Sequence, residues 1–203
     1  DHKHAMEIWR FIGERDRGVT NFHFEISADL LTEEELNFLG TLRPGLVQLE
    51  VGVQSVNGRT IAEIHRSMDL TRLKAACAKI RGGGNIHQHL DLIAGLPEED
   101  LESFRRSFNE IYELRPDQLQ LGFLKVLKGS HIYENRKIYD LLSGSLPPYE
   151  VLSTRWLSYR EIIRLKQVEE MVEVYYNSGQ FPVSMGLLAA AAGDAFLLYD
   201  TLG

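Results

Sequence analysis

The feature that most constrains the fold of this chain is a strand pattern followed by a helix pattern, repeated along the sequence. Apolar and polar residues alternate from residue 22, and strand patterns start again near residues 46 and 86 and over 118–127. A segment with the apolar spacing of an α-helix lies between each pair of strands. Strands separated by helices form right-handed crossovers and pair in parallel. The sequence therefore predicts an α/β fold with a parallel sheet.

Local signals mark the ends of the helices. Thr32 and Glu35 have the spacing of a capping box at a helix start, and the glycines at 82–84 are typical of a helix end. The acidic run 98–100 is expected to begin the next helix, because acidic side chains favour the first helical turn. Helical spacing over residues 5–11 indicates that the chain opens inside a helix.

The predicted strands have one apolar face and one polar face. A parallel strand buried on both faces would instead be an almost continuous apolar run. The polar positions are His23, Glu25, Gln48, Glu50, Gln54, His87, His89, Asp91, Gln118 and Gln120. Curvature of the sheet around a polar, ligand-holding lumen accounts for this pattern. An α/β layer with one partly wetted face is the alternative.

Composition argues against attraction to nucleic acid or anionic lipid by overall charge, against an internal disulfide and against a membrane span. The 203 residues suit one domain or part of a larger one, and 22 Lys and Arg against 29 Asp and Glu give a net charge of −7. No overall positive field therefore attracts nucleic acid or anionic lipid. Cys77 is the single cysteine and cannot form an internal disulfide, which favours a reducing compartment, the cytoplasm. The apolar stretch 185–196 is too short for a membrane span.

The pattern changes after Gly129. Helical spacing of apolar residues covers 158–176, and Pro182 suits the first turn of a final helix. We therefore expect two regions, an α/β part over residues 1–130 and an all-helical extension over 131–203.

Two short motifs end successive predicted strands. Gly52-Val53-Gln54-Ser55 ends the second strand, and Gly95-Leu96-Pro97 follows the third. Ligands of parallel sheets bind at this carboxyl edge. Each motif alone is a common turn. The two motifs together, at the ends of successive strands of a βα repeat, are a more specific indication of a ligand-binding edge.

These motifs resemble the radical S-adenosylmethionine superfamily, in the branch with the oxygen-independent coproporphyrinogen oxidases, the tRNA methylthiotransferases and the cobalamin-binding radical enzymes. The resemblance covers about residues 5–129, and the extension is similar to that of one cobalamin-binding subgroup. It implies a partial TIM-type (βα)6 barrel in which the four predicted strands correspond to the third to sixth.

The resemblance also implies roles for individual residues around S-adenosylmethionine. Glu25 matches an acid near the methionyl part, and Gln54 matches an amide that binds ribose hydroxyls. Asp91 matches an acid at the ribose, and the backbone around Ile93 matches a segment beside adenine. Arg66 matches a cation that pairs with the methionyl carboxylate, which a guanidinium can bind in a bidentate manner.

One departure from the family pattern is large. The Cys-x-x-x-Cys-x-x-Cys motif that binds a 4Fe-4S cluster is absent from the sequence. We therefore expect a fragment whose partners are upstream barrel units and a cobalamin-binding domain of the same protein. The fragment alone should be inactive, because homolysis is the chemistry of the cluster. The resemblance implies that the full-length enzyme generates a 5′-deoxyadenosyl radical or performs cobalamin-dependent methyl transfer.

Two other functions fit part of the sequence. His87, His89 and Asp91 are spaced like ligands of a metal-dependent hydrolase barrel. A non-catalytic α/β interaction domain explains the βα repeat but not the two motifs. For Glu25 and Asp91 a hydrogen-bonded lumen network is the structural alternative, and for Arg66 it is a solvated helix charge.

Overall fold

A computed structural model describes residues 1–203. The elements up to residue 123 are α1 (His2–Arg15), β1 (Phe22–Ile26), a 3-10 turn (Ala28–Leu30), α2 (Glu33–Leu39), β2 (Val47–Gln54), α3 (Gly58–Glu63), α4 (Leu70–Gly83), β3 (His87–Ala94), α5 (Leu101–Tyr112) and β4 (Gln118–Phe123). The later elements are α6 (His131–Glu134), β5 (Leu142–Ser143), β6 (Val151–Ser153), α7 (Tyr159–Val172), a π-helix (Glu173–Asn177), α8 (Pro182–Ala192) and α9 (Ala195–Leu202).

The four main strands form one parallel sheet in the order β1-β2-β3-β4. In β1 and β2 the register places Phe22 opposite Val47 and Ile26 opposite Val51. The predicted α/β class and the sequential order of parallel strands are therefore confirmed.

Burial alternates along the strands as their sequence parity predicts. In β2 the odd-numbered positions Val47 to Val53 are buried, whereas Gln48, Glu50 and Gln54 are half-buried. In β1 the polar positions are exposed and the apolar ones are half-buried. In β1 and β2 the polar side chains thus lie on one face, because successive side chains point to opposite sides. In β3, Gln88 departs from this pattern, since it is buried on the same face as Leu90 and Leu92.

The chain divides into two compact units. The first comprises Asp1–Gly52, Met68–Leu90 and Leu114–Gln118. Within it, the Trp9 ring of α1 packs edge-on against Phe24 at 6.4 Å. The predicted capping box of Thr32 and Glu35 is confirmed.

The second unit comprises Val53–Ser67, Asp91–Glu113 and Leu119–Gly203. Its aromatic core joins α5 to α9, since Phe108 contacts Phe196 at 5.7 Å and Tyr199 at 5.9 Å between ring centroids. These apolar contacts hold the last helix of the extension against the helix that follows β3.

The extension differs from the expected all-helical region in one respect. The predicted strand 118–127 ends at Phe123, and Lys125 then pairs antiparallel with Glu150. The short antiparallel pair β5 and β6 lies beside this bridge, and Val151 N–H donates to Leu124 C=O at 2.9 Å. Strands of two or three residues show no hydrophobic period, which is why the sequence did not indicate them.

A second correction concerns the start of α5. The acidic run 98–100 does not open the helix, because the Asp100 side chain accepts from Ser103 N–H and caps a helix that begins at Leu101. Glu98 and Glu99 lie in the preceding turn. The expected start of a late helix at Pro182 is confirmed, and α9 follows after a break at Gly193.

No helix alone combines the length and the apolar composition of a membrane span; only α8 and α9 counted together meet both criteria, and they are bent by 114°.

Candidate functional site

Four of the five predicted site residues, Glu25, Gln54, Asp91 and Ile93, lie on the main strands. Gln54 ends β2 and is half-buried, as are Asp91 and Ile93, which share one face of β3. Arg66 follows α3 and is exposed. Except for Glu25, which is exposed on β1 and belongs to the first unit, the five residues belong to the second unit.

Gln54 has an unusual backbone conformation. Its φ is 70°, in the left-handed region that a residue with a Cβ rarely occupies. The turn is closed by Ser55 N–H, which donates to Val53 C=O at 2.9 Å. Non-glycine residues in this region are enriched at functional sites, so the conformation supports a role for this strand end.

A buried network follows Gln54. Ser55 Oγ donates to Glu99 Oε1 at 2.6 Å, and Ser107 Oγ donates to the same oxygen at 3.0 Å. Ser107 Oγ also accepts from Val56 N–H at 3.1 Å. All three side chains are fully buried. The network therefore ties the turn after β2 to the turn after β3 and to α5.

Asn57 extends the same connection. Its Nδ2 donates to Glu98 C=O at 2.8 Å and to Ser103 Oγ at 3.1 Å. Its Oδ1 accepts from Arg59 N–H at the start of α3. The backbone around Gln54 is thus held by side chains on both sides of the β3 turn.

The buried Glu99 carboxyl is strongly perturbed. Burial raises its pKa to about 7, and the hydrogen bonds from Ser55 and Ser107 only partly oppose this rise. Glu99 Oε2 has no hydrogen-bond partner. A neutral carboxylic acid fits this environment better than an unpaired charge.

A second cluster in the same unit joins the end of α3 to α6. Tyr139 Oη donates to Glu63 Oε1 and lies 3.1 Å from His131 Nε2. The rings of His65 and His131 are 4.2 Å apart. No local sequence pattern indicates this cluster, because its members come from segments far apart in the chain.

Glu25 has polar neighbours on the adjacent strand. It lies opposite Glu50 in the β1–β2 register, and His23 Nε2 is 2.8 Å from a carboxylate oxygen of Glu50. Opposing carboxylates on neighbouring strands repel each other, so this part of the polar face favours a cationic group.

The first unit contains a cleft of about 260 Å³ that is separate from the candidate site. Its lining includes Arg10, Asp16, Phe38 and Arg43, and none of the five predicted site residues. It is therefore not part of the candidate site.

The residues of this chain fit neither an iron–sulfur cluster nor a site for a single metal ion. Cys77 is 2% exposed on α4, and burial raises its pKa to about 12, so its thiol stays protonated. A cluster needs several thiolate ligands, so the residues of this chain do not fit a 4Fe-4S cluster. No group of three or more His, Cys, Asp or Glu side chains is arranged to hold a metal ion. His87, His89 and Asp91 therefore do not form a metal site.

A signal for the buried network was present in the sequence. The buried side of α5 contains Ser103 and Ser107 between Phe104, Phe108 and Ile111. A hydroxyl on an apolar helix face requires a partner in the core. Glu99, one residue before the cap of α5, supplies it.

The chain is similar to several known proteins over part of its length. A family model described as a protein of unknown function (DUF4080) matches residues 137–203. The oxygen-independent coproporphyrinogen III oxidase of Salmonella typhimurium is 34% identical over 107 residues, which is 50% of this chain and 23% of that protein. The chain thus spans about a quarter of the length of this curated relative.

Solved structures share the fold. Coproporphyrinogen III oxidase (HemN) from Escherichia coli, described as a radical SAM enzyme, superimposes with a TM-score of 0.60 at 18% identity, covering 85% of this chain and 37% of that one. The radical S-adenosylmethionine methyltransferase TsrM from Kitasatospora setae, with cobalamin and a [4Fe-4S] cluster bound, gives 0.50 at 15% identity, covering 59% and 23%. The four-stranded sheet and its helices therefore correspond to part of a radical SAM barrel.

Proposed function

Because this chain belongs to the radical S-adenosylmethionine superfamily, we propose that it supplies the strands that bind the adenosine and methionyl parts of S-adenosylmethionine. The observation that carries the proposal is the end of β2. Gln54 is half-buried there in a left-handed conformation, and the Ser55–Glu99 network fixes the backbone that follows it.

The adenosine part requires partners for two ribose hydroxyls and an apolar surface for the base. The amide of Gln54 offers a donor and an acceptor, and the carboxylate of Asp91 offers acceptors. Ile93, two residues after Asp91 on the same face of β3, is half-buried and presents backbone beside the base. These three residues are the proposed adenosine contacts.

The methionyl part carries a carboxylate, an ammonium and a sulfonium. The exposed guanidinium of Arg66 has the geometry to bind the carboxylate. Glu25, with Glu50 opposite, suits the positively charged end. S-adenosylmethionine bound in this way is the source of the reactive adenosyl or methyl group.

Other parts of the reaction are proposed for the whole protein. The electron source is a 4Fe-4S cluster held by residues outside this chain, and the reaction is either radical generation or cobalamin-dependent methyl transfer. The cytoplasm is the expected compartment, and residues 131–203 are the proposed helical C-terminal extension of the barrel part.

The test is binding of S-adenosylmethionine to the whole protein with its cluster reconstituted anaerobically, measured by isothermal titration. Gln54→Ala and Asp91→Ala should each weaken binding by about 5- to 100-fold, because each removes hydrogen bonds to ribose of about 1–3 kcal/mol. Gln48→Ala is the matched control, because Gln48 is half-buried on the same face of β2 but at its other end. Equal affinities of the wild type and both site variants would contradict the proposal.

A further inference from the structure

Helix α3 ends just before Arg66 in a turn that commonly carries glycine. His65 N–H donates to Ala62 C=O and Arg66 N–H donates to Ile61 C=O, both at 3.0 Å. These are the two hydrogen bonds of a Schellman motif, with His65 at the left-handed position and a φ of 57°. A side chain is unfavourable there. The His65 ring is therefore expected to make a contact that glycine could not.

That contact is with the C-terminal part of the chain. The His65 ring lies 4.2 Å from the His131 ring, with 44° between their planes. Two residues before His65, Glu63 accepts a hydrogen bond from Tyr139 Oη. The segment that leads into Arg66 is therefore held at two points by residues that follow β4.

The directions of the hydrogen bonds are consistent along this cluster. The single hydroxyl proton of Tyr139 goes to Glu63, so the Tyr139 oxygen accepts from His131 Nε2 at 3.1 Å. The other ring nitrogen, His131 Nδ1, accepts from Asn135 Nδ2 at 3.2 Å. A neutral imidazole with its proton on Nε2 satisfies both bonds.

The position of Tyr139 is fixed by burial, by a backbone hydrogen bond and by a ring contact. It is 4% exposed, its carbonyl accepts from Arg155 N–H at 2.8 Å, and its ring lies 6.0 Å from that of Trp156. Burial, and then the hydrogen bond to Glu63, raise the pKa of Tyr139 well above its ordinary value. The phenol therefore remains a donor at neutral pH.

Arg66 contrasts with this network. Its side chain is exposed, and no hydrogen bond or ion pair within the chain engages it. A long side chain of this kind loses considerable rotamer freedom when it binds a ligand. Because the backbone on the N-terminal side of Arg66 is fixed, the Arg66 side chain can reach fewer positions before it binds the ligand.

We propose that Tyr139 and His131 are positioning residues that hold Glu63 and His65 and so place Arg66 for the carboxylate of bound S-adenosylmethionine. The inference rests on the proposed function, and it gives the C-terminal extension a part in cofactor binding. Neither Tyr139 nor His131 touches the cofactor in this arrangement.

The test compares two ligands on the whole protein with its cluster reconstituted anaerobically. S-adenosylmethionine carries the carboxylate, whereas 5′-methylthioadenosine has the same adenosine part without the amino acid. Dissociation constants are measured by isothermal titration for the wild type, Arg66→Ala, Tyr139→Phe and His65→Gly. Thermal unfolding of each variant is recorded in parallel.

Arg66→Ala should weaken S-adenosylmethionine about tenfold or more, since a charge-assisted pair is lost. Tyr139→Phe should weaken it about three- to tenfold, since one positioning hydrogen bond is lost. Neither change should alter affinity for 5′-methylthioadenosine. In the Arg66→Ala background, Tyr139→Phe should have no further effect, because its action passes through Arg66.

The His65→Gly variant distinguishes a role of His65 in positioning Arg66 from a role in the stability of the protein. Glycine suits the left-handed backbone, so the melting temperature should not fall, yet the ring contact with His131 is lost. We expect weaker S-adenosylmethionine binding at unchanged stability.

Three results would overturn these inferences in distinguishable ways. Unchanged S-adenosylmethionine affinity in Tyr139→Phe and His65→Gly, with Arg66→Ala weakened, rejects the positioning role and leaves the proposed function standing. Equal weakening of both ligands indicates a structural role only and also rejects it. Wild-type protein that binds neither ligand rejects both proposals.

Discussion

At the scale of single residues, Glu99 is the most constrained titratable group of the candidate site. Its side chain is 0% exposed, Oε1 accepts from two serines, and burial raises its pKa to about 7. The folded protein therefore holds a proton that the unfolded chain releases near its ordinary pKa of 4.5. The contribution of Glu99 to stability should consequently be largest below about pH 4.5 and fall as pH rises between these two values.

The first prediction uses this proton. In the wild type the free energy of unfolding should decrease by on the order of 3 kcal/mol between about pH 4.5 and pH 7 because of Glu99. Glu99→Gln keeps a neutral side chain that can accept from Ser55 and Ser107, so this decrease should disappear. Urea unfolding followed by circular dichroism from pH 4 to 8 measures the difference between the two proteins.

Glu134→Gln is the control for this measurement, because Glu134 is exposed on α6 and should leave the wild-type pH dependence in place. If Glu99→Gln has the same pH dependence as the wild type, the Glu99 proton is not the cause.

The residue types of the candidate site could be predicted from sequence, but their partners could not. Gln54 is the last residue of β2 and Asp91 lies within β3, so their positions follow from a count along each strand. Tyr139 and Glu63 meet only in the folded chain. No local period relates two residues so far apart in sequence.

At the scale of elements, long segments were predictable and short ones were not. The strands β1 to β3 and helices α4 and α5 extend over enough residues to show a period, and their capping residues are recognisable in the sequence. Helix α6 and strands β5 and β6 have two to four residues and form because tertiary hydrogen bonds such as that from Val151 N–H to Leu124 C=O hold them. Tertiary context decides such elements.

The contact between Gly95 and Val151 gives the second prediction. Gly95 has a φ of +88°, and a Cβ there would lie 2.6 Å from Val151 Cγ1. Gly95→Ala should therefore destabilise the protein by about 2–4 kcal/mol, the sum of left-handed strain and overpacking. Urea unfolding measures the loss.

A double-mutant cycle separates the two causes. In a Val151→Ala background the overpacking is relieved, so Gly95→Ala should cost only about 1–2 kcal/mol. Gly58→Ala is the control, since a Cβ at Gly58 meets nothing within 4 Å and should change stability by less than about 0.5 kcal/mol. An equal cost of Gly95→Ala in both backgrounds would show that Val151 is not involved.

The edge strand β4 shows how the extension acts on the sheet. Asn177, at the end of the π-helix, accepts from Leu119 N–H at 2.9 Å and donates to Leu119 C=O at 2.9 Å. The side-chain amide thus takes the place of a neighbouring strand at one residue of β4. Occupied edge groups of this kind reduce the tendency of a strand to pair with another chain.

At the scale of the whole molecule, metal binding separates the possible classes of function. A metal-dependent hydrolase would need His87, His89 and Asp91 to converge on one ion, and no such group of ligands exists in the chain. His87 is exposed at the start of β3, whereas His89 is buried. An interaction domain would bind neither a metal ion nor S-adenosylmethionine.

The third prediction follows from this contrast. Titration of the chain with zinc should show no stoichiometric site tighter than roughly micromolar, about 8 kcal/mol of binding free energy. Weak binding by exposed histidines such as His4 is expected, and it should persist in His87→Ala and in His89→Ala. A tight site lost in both variants would instead favour the hydrolase. Zinc should also leave the affinity for S-adenosylmethionine unchanged, because the proposed ribose contacts of Gln54 and Asp91 do not require a metal ion.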